Sequence, residues 1–243
     1  LSLIEDCCES MGAMYKNKYV GSFGRVASFS FYFSHHITTL EGGICVTNDH
    51  DLSEMMRIVR AHGWIRQVEN KSKWIEKYKD FDPKFLFVND GYNLRITEPQ
   101  AAMGMIQLNK IDKFIENRKN NAKKYLNELN DLSDFFSFQS TTKDSENSHF
   151  GFPLVIRNTT HFDRNEICNY LNKCGIETRP IIAGNLARQP ANKLFQHKVS
   201  GELKNSNTIM DNGFSVGVHQ SLTDDAICYV TGKIKEFVKN KVK

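Results

Sequence analysis

Ser30-Phe31-Tyr32-Phe33-Ser34-His35-His36-Ile37-Thr38-Thr39-Leu40-Glu41-Gly42-Gly43 joins an aromatic, strand-like run to a polar loop and a Glu-Gly-Gly turn. Upstream of it, Leu1 to Ile4 reads as the end of a buried strand that delivers Glu5 and Asp6 at its C-terminal tip. Open α/β sheets put their ligand chemistry at that place. Val26 to Phe33 reads as a second strand, and Ile44 to Thr47, followed by Asn48-Asp49 turn chemistry, as a third.

Downstream, Leu52, Met55, Met56 and Val59 fall at i, i+3, i+4 and i+7 and predict a core-facing helix, with Gly63 as its left-handed stop. Residues 64 to 92 show no sustained period yet carry Trp64, Trp74, Phe81, Phe85 and Phe87, so they read as a long ordered loop suited to crossing a subunit boundary. Thr97 and Pro99 predict the start of a long helix with an apolar stripe at Met103, Ile106, Ile111, Phe114, Ile115 and Leu126. Ser137 to Ser148 reads as a loop. Phe152 to Ile156, a helix from Asp163 to Cys174 stopped by Gly175, and Thr178 to Ile182 form a β-α-β pattern, completed by a helix capped at Thr223. The expectation is two unequal α/β domains, residues 1–115 and 116–243.

The 243 residues are 40% hydrophobic and 25% charged, enough to bury a core. With 32 basic and 28 acidic residues the balance argues against nucleic acid or a membrane surface as main partner. Lys233 to Lys243 reads as a solvated helix face. No apolar run approaches the roughly 20 residues of a membrane helix, and no signal-peptide pattern opens the chain, so a cytoplasmic protein is expected. The six cysteines lack paired C-x-x-C spacing and are expected to be reduced and mostly buried. Leu1 opens the chain inside an apolar run, which suggests that an N-terminal part is missing.

Taken in order, the acidic strand end, Ser30, the polar loop and the Glu-Gly-Gly turn, with Ala61-His62-Gly63-Trp64, Gly91-Tyr92-Asn93-Leu94-Arg95-Ile96-Thr97-Glu98 and Thr178-Arg179-Pro180, resemble the DegT/DnrJ/EryC1/StrS sugar aminotransferase family. The resemblance runs from Ile4 to Val238. It implies the type I pyridoxal-phosphate fold, here the C-terminal part of the large cofactor-binding domain (1–115) followed by a linking helix and the small α/β domain. Asp6 would hold the pyridinium nitrogen, Glu9 would face the ring hydroxyl where a glutamine is commoner, and Ser30 would donate to the phosphate. Asn93 resembles the asparagine that reaches the phosphate of a partner subunit, which implies a homodimer with shared active sites. The plainer readings are a helix-capping Asp6, a solvated Ser30 and a turn at Asn93.

At position 35 the family keeps a Schiff-base lysine, and this chain has an imidazole. A histidine has no primary amine, so pyridoxal phosphate or pyridoxamine phosphate would be held non-covalently. An imidazole with a reference pKa of about 6.5 suits a general base near neutrality. The histidine resembles the 3-dehydratase branches of the family, which remove the C3 hydroxyl of a nucleotide-linked 4-keto-6-deoxy sugar for dideoxysugar and lipopolysaccharide synthesis. The branch with an iron-sulfur cluster would need cysteines soon after His62-Gly63-Trp64, and none occurs between Cys45 and Cys168. No cluster is expected, and glutamate becomes the amine donor. His36 is a secondary candidate that assists the base or packs the loop. Arg179 and Arg188 are candidate anion contacts. No metal site is expected, because adjacent side chains in an extended segment point apart. The rival readings are a nucleotide-sugar aminotransferase and an inactive fragment.

Overall fold

The computed structural model describes residues 1–157 and 159–242. They form two compact units, Leu1–Asp112 and Lys113–Lys243. Among the described residues no helix is long and apolar enough to cross a membrane.

In the first unit β1 (Ile4–Asp6) is followed by a hairpin of β2 (Met14–Tyr15) and β3 (Lys18–Tyr19), then by β4 (Val26–Ser30) and β5 (Gly43–Val46). β4 is central, parallel to β1 and antiparallel to β5. The expected strand from Val26 to Phe33 stops at Ser30 because Phe31 turns inward: its N–H donates to Gly42 O at 2.9 Å and its carbonyl accepts from Thr39 N at 2.9 Å. The hairpin escaped sequence reading because its strands are too short for a period. Lys16 and Asn17 turn it at φ 48° and 59°, the backbone that tight hairpins need.

α1 (His50–Val59) starts at Asp49, whose side chain accepts from Leu52 N at 3.0 Å. The fully buried members of α1 are Ile58 and Glu54, and the expected stripe of Leu52, Met55, Met56 and Val59 is only half-buried. Glu54 is tolerated inside because its carboxylate accepts the N–H groups of Glu69 and Asn70. α1 ends at Val59, and Gly63, four residues on, closes its last turn with an N–H that donates to Ile58 O at 2.9 Å. Gly63 is left-handed (φ 81°) because a Cβ there would stand 1.6 Å from Asn89 O, where residues 61–64 and 87–93 pair closely. Residues 64–92 are more regular than expected: α2 (Lys71–Lys77), capped by Asn70, and two 3-10 turns surround a small core of Ile58, Ile65, Val68 and Leu86. The predicted long helix is two helices, α3 (Glu98–Leu108) and α4 (Ile111–Leu129). Thr97 and Gln100 form the box that starts α3. Met103, Ile106 and Leu126 of the expected stripe are exposed, whereas Arg118, Asn121, Ala122, Tyr125 and Leu129 are the buried face of α4.

The second unit has the sheet order β6-β8-β10-β9, from β6 (Phe136–Phe138), β8 (Phe152–Ile156), β9 (Thr178–Pro180) and β10 (Gly213–Val216). β6 and the short β7 (Ser145–Glu146) lie inside the stretch expected to be loop. The β-α-β reading of β8, α5 (Arg164–Lys173) and β9 needs one correction, because β10 inserts between the two strands and pairs antiparallel with both. α5 has a reciprocal cap between Asp163 and Glu166, and Gly175 follows at φ 77°. α6 (Lys204–Asn212) precedes β10, and α7 (Asp224–Lys241) starts at Thr223. The core packs Tyr125, Leu129, Phe136, Leu154, Ile156, Ile167, Leu171, Phe214 and Ile234, each contributing about 1.5–3 kcal/mol of burial. α7 is therefore not simply a solvated basic face: Ile234, Phe237 and Val238 are buried, while Lys235 and Lys241 pair with Asp131 and Glu166. Lys243 lies outside the described residues. All six cysteines are free thiols, but only Cys7 is buried, and Cys45 and Cys228 are exposed.

Candidate active site

Parallel pairing of β1 with β4 sets Asp6 opposite Ser28, and Ser30 follows two residues later on the same face of β4. Strand rise separates Ser28 from Ser30 by roughly 7 Å. A carboxylate and a hydroxyl thus share one sheet face. Asp6 Oδ1 accepts from Cys8 N at 3.2 Å and from Ser28 Oγ at 3.5 Å. The Cys8 thiol, then its backbone N–H, hold the Asp6 carboxyl below the usual carboxylate range. It is exposed and ionised at neutral pH, as a partner for a protonated ring nitrogen must be. Glu9 is pushed the other way, first by desolvation and then by the neighbouring Asp6 charge. Ser30 is half-buried and its Oγ accepts from Tyr32 N at 3.2 Å.

Glu5, the other acid at this strand end, faces away from Asp6 by strand alternation. Its carboxylate takes the N–H groups of Gly21, Phe23 and Gly24 at 2.7, 2.7 and 2.5 Å. Burial alone would raise the Glu5 carboxyl; these three donors outweigh it and hold it low. Glu5 thus builds the 21–24 turn.

His35 lies in the loop between β4 and β5, half-buried, with its N–H donating to Tyr32 O at 3.0 Å and its ring edge-on to Tyr32 at 6.0 Å. The loop is closed by Thr38 Oγ1 to Phe31 O at 3.2 Å and Thr39 Oγ1 to Glu41 O at 2.7 Å, and Gln100 of α3 ties it down through Glu41 O at 2.9 Å. Gly42, at φ 144°, leaves room for Thr39 Oγ1, which a Cβ would meet at 2.6 Å. His36, Ile37 and Thr39 are buried beneath, so His36 has the setting of a packing residue, with 1% of its surface exposed.

Asn93 is exposed in the extended run 91–97, where it lines a cleft of about 420 Å³ with Arg60, Gln67 and Arg95. Its Oδ1 accepts from the Arg95 guanidinium at 3.3–3.4 Å. Arg179 and Arg188 belong to the second unit, where Arg179 pairs with Glu177 at 2.6 Å and Arg188 with Asp211 at 2.8 Å. Among the described residues no three His, Cys, Asp or Glu side chains converge as a metal-holding group. Cys8 and Ser28, the neighbours of Asp6, escaped sequence reading. Strand register brings Ser28 to Asp6, and Cys8 reaches it from two residues along the chain.

A mixed sheet with an ionised aspartate at a strand end, a serine on the same face of the next strand and a tethered loop after it accords with the cofactor half of an aminotransferase-type fold. The chain belongs to the DegT/DnrJ/EryC1/StrS aminotransferase family, whose pattern matches residues 1–235. It is 38% identical to GDP-4-keto-6-deoxy-D-mannose 3-dehydratase of Escherichia coli O55:H7 over 96% of this chain and 60% of that enzyme. It thus spans about three-fifths of the relative's length. A crystal structure of a histidine-to-asparagine variant of GDP-4-keto-6-deoxymannose-3-dehydratase with bound GDP-perosamine superimposes with a TM-score of 0.87 at 35% identity, covering 96% of this chain and 61% of that one. A second, with a trapped adduct of pyridoxal phosphate and glutamate, gives a TM-score of 0.83 at 35% identity, covering 96% and 60%.

Proposed function

We propose that the protein acts as a pyridoxal/pyridoxamine-phosphate-dependent 3-dehydratase of a nucleotide-linked 4-keto-6-deoxy sugar, with GDP the favoured nucleotide and glutamate the amine donor. What supports this reading is the imidazole of His35 in the tethered loop that follows Ser30, in a chain of a family that takes its name from aminotransferases. The residues present suit the cofactor: the exposed, ionised Asp6 carboxylate would face the ring N–H, Glu9 the ring hydroxyl and the Ser30 hydroxyl the phosphate. Two relatives support the substrate classes, one holding GDP-perosamine and the other a glutamate adduct.

When bound, pyridoxamine phosphate supplies the amine that meets the sugar ketone and a ring that takes up an electron pair. Asp6 keeps the ring nitrogen protonated by offering it a fixed negative charge. His35, with no amine to tether the cofactor, would serve as the base that accepts a proton at C4′, so that the sugar can lose its C3 hydroxyl. His36 packs the loop floor beneath it. Arg179 and Arg188 contact substrate anions, exchanging their carboxylate partners for them. Asn93 acts across the boundary of a homodimer, and cytoplasmic residence belongs to the same proposal.

The test is incubation with pyridoxal phosphate, glutamate and GDP- or CDP-4-keto-6-deoxysugars, read by mass spectrometry of the product. Loss of the C3 oxygen that disappears in His35→Asn supports the dehydratase. An amino sugar product would establish the aminotransferase rival. No turnover by a folded protein would leave the inactive reading.

A further inference from the structure

Two donors converge on a single oxygen of Asp6. The parallel register puts Ser28 opposite it, with Ser28 Oγ 3.5 Å and Cys8 N 3.2 Å from the same Oδ1. Cys8 Sγ stands 3.8 Å from Ser28 Oγ. The Cys8 thiol also hydrogen-bonds the Asp6 carboxylate, so both side chains bear on Asp6. Desolvation, then hydrogen bonding to Asp6, raises the Cys8 thiol, which keeps it a neutral S–H donor at physiological pH. The contacts from Cys8 N and Ser28 Oγ both fall on Oδ1 of a carboxylate that is exposed at the strand end.

We infer that Cys8 and Ser28 are positioning residues that clamp Asp6 Oδ1 so that Oδ2 is aimed at the ring nitrogen of the cofactor. An exposed aspartate at a strand end would otherwise sample several rotamers, and a fixed contact to a ring N–H requires one. This inference rests on the assignment of Asp6 to the cofactor ring, and it adds the two side chains that make the assignment geometrically exact.

The test uses ¹³C-carboxyl NMR of Asp6 in the cofactor-free protein, beside equilibrium binding of pyridoxal phosphate followed by its absorbance. Ser28→Ala and Cys8→Ala should each raise the Asp6 titration midpoint by roughly half a unit or more and weaken cofactor binding about threefold to tenfold. Ser28→Thr and Cys8→Ser, which keep a donor in place, should restore both. If the alanine variants fail to fold, the midpoints of the two conservative variants decide, since they should stay within about 0.3 units of wild type. A midpoint unmoved in folded Ser28→Ala and Cys8→Ala overturns the clamp, even where Asp6→Asn loses the cofactor. Unchanged cofactor affinity in Asp6→Asn overturns the ring assignment, and the purpose of the clamp with it, whatever the midpoints do.

Discussion

Replacing Arg118 by methionine should be among the most damaging single changes in the second unit. The guanidinium is 2% exposed, and burial pushes its pKa down to about 10, so it remains charged at neutral pH. Its bonds all go to neutral acceptors: Nε donates to Gln220 Oε1 at 2.9 Å, and Nη1 to the carbonyls of His149 and Phe150 at 3.1 and 3.2 Å. α4 is thereby tied to two separate loops. Methionine fills much of the same space and donates nothing. Three part-buried acceptors lose their donor at about 1–3 kcal/mol each, offset in part because no buried charge remains to be desolvated. The expected net loss is about 3–5 kcal/mol, a large fraction of the 5–15 kcal/mol typical of a domain. Urea unfolding followed by far-UV circular dichroism measures it, and Arg118→Lys should lose less because one acceptor can be kept. A methionine variant within about 1 kcal/mol of wild type at unchanged slope would refute the reasoning.

The Glu5 carboxylate is held low by three N–H donors, so Glu5→Gln should cost about 1–2 kcal/mol at neutral pH. The sign is fixed by the depressed folded-state pKa: the stabilisation is complete above the unfolded value near 4.5 and fades as pH falls through the lower folded value, so the difference between wild type and variant should vanish in acid. Gly63→Ala places a methyl group 1.6 Å from Asn89 O at φ 81° and should destabilise the 61–64 and 87–93 pairing by about 3 kcal/mol or more, read from amide exchange of His62 and Val88. Asp163→Ala removes the α5 cap and should lower stability by about 1 kcal/mol in the same urea assay, with Asp163→Asn close to neutral.

Much of the frame was readable from local signals. The caps at Thr97, Asp163 and Thr223 mark helix starts because the orphan N–H groups they satisfy lie within three residues. β10 escaped because Gly213-Phe214-Ser215-Val216 is short and follows a helix directly, and its place between β8 and β9 comes from non-local pairing. The buried face of α4 departs from the predicted apolar stripe because Arg118 and Asn121 look like surface residues until the loops that accept their hydrogens are known. At the site, Asp6, Ser30 and His35 stand out through the resemblance of their order and spacing to the family's pattern. The opposite orientation of Glu5 and the clamp of Cys8 and Ser28 arise from alternation and register between strands.

The central claim is that position 35 bases the chemistry on an untethered cofactor. Borohydride reduction of the protein saturated with pyridoxal phosphate, followed by peptide mass spectrometry, tests it most directly, with His35→Lys as the positive control. No cofactor fixed to the wild-type chain, and a reduced adduct at residue 35 in the variant, is the predicted result. A stoichiometric adduct on a native lysine of the wild-type protein would contradict it.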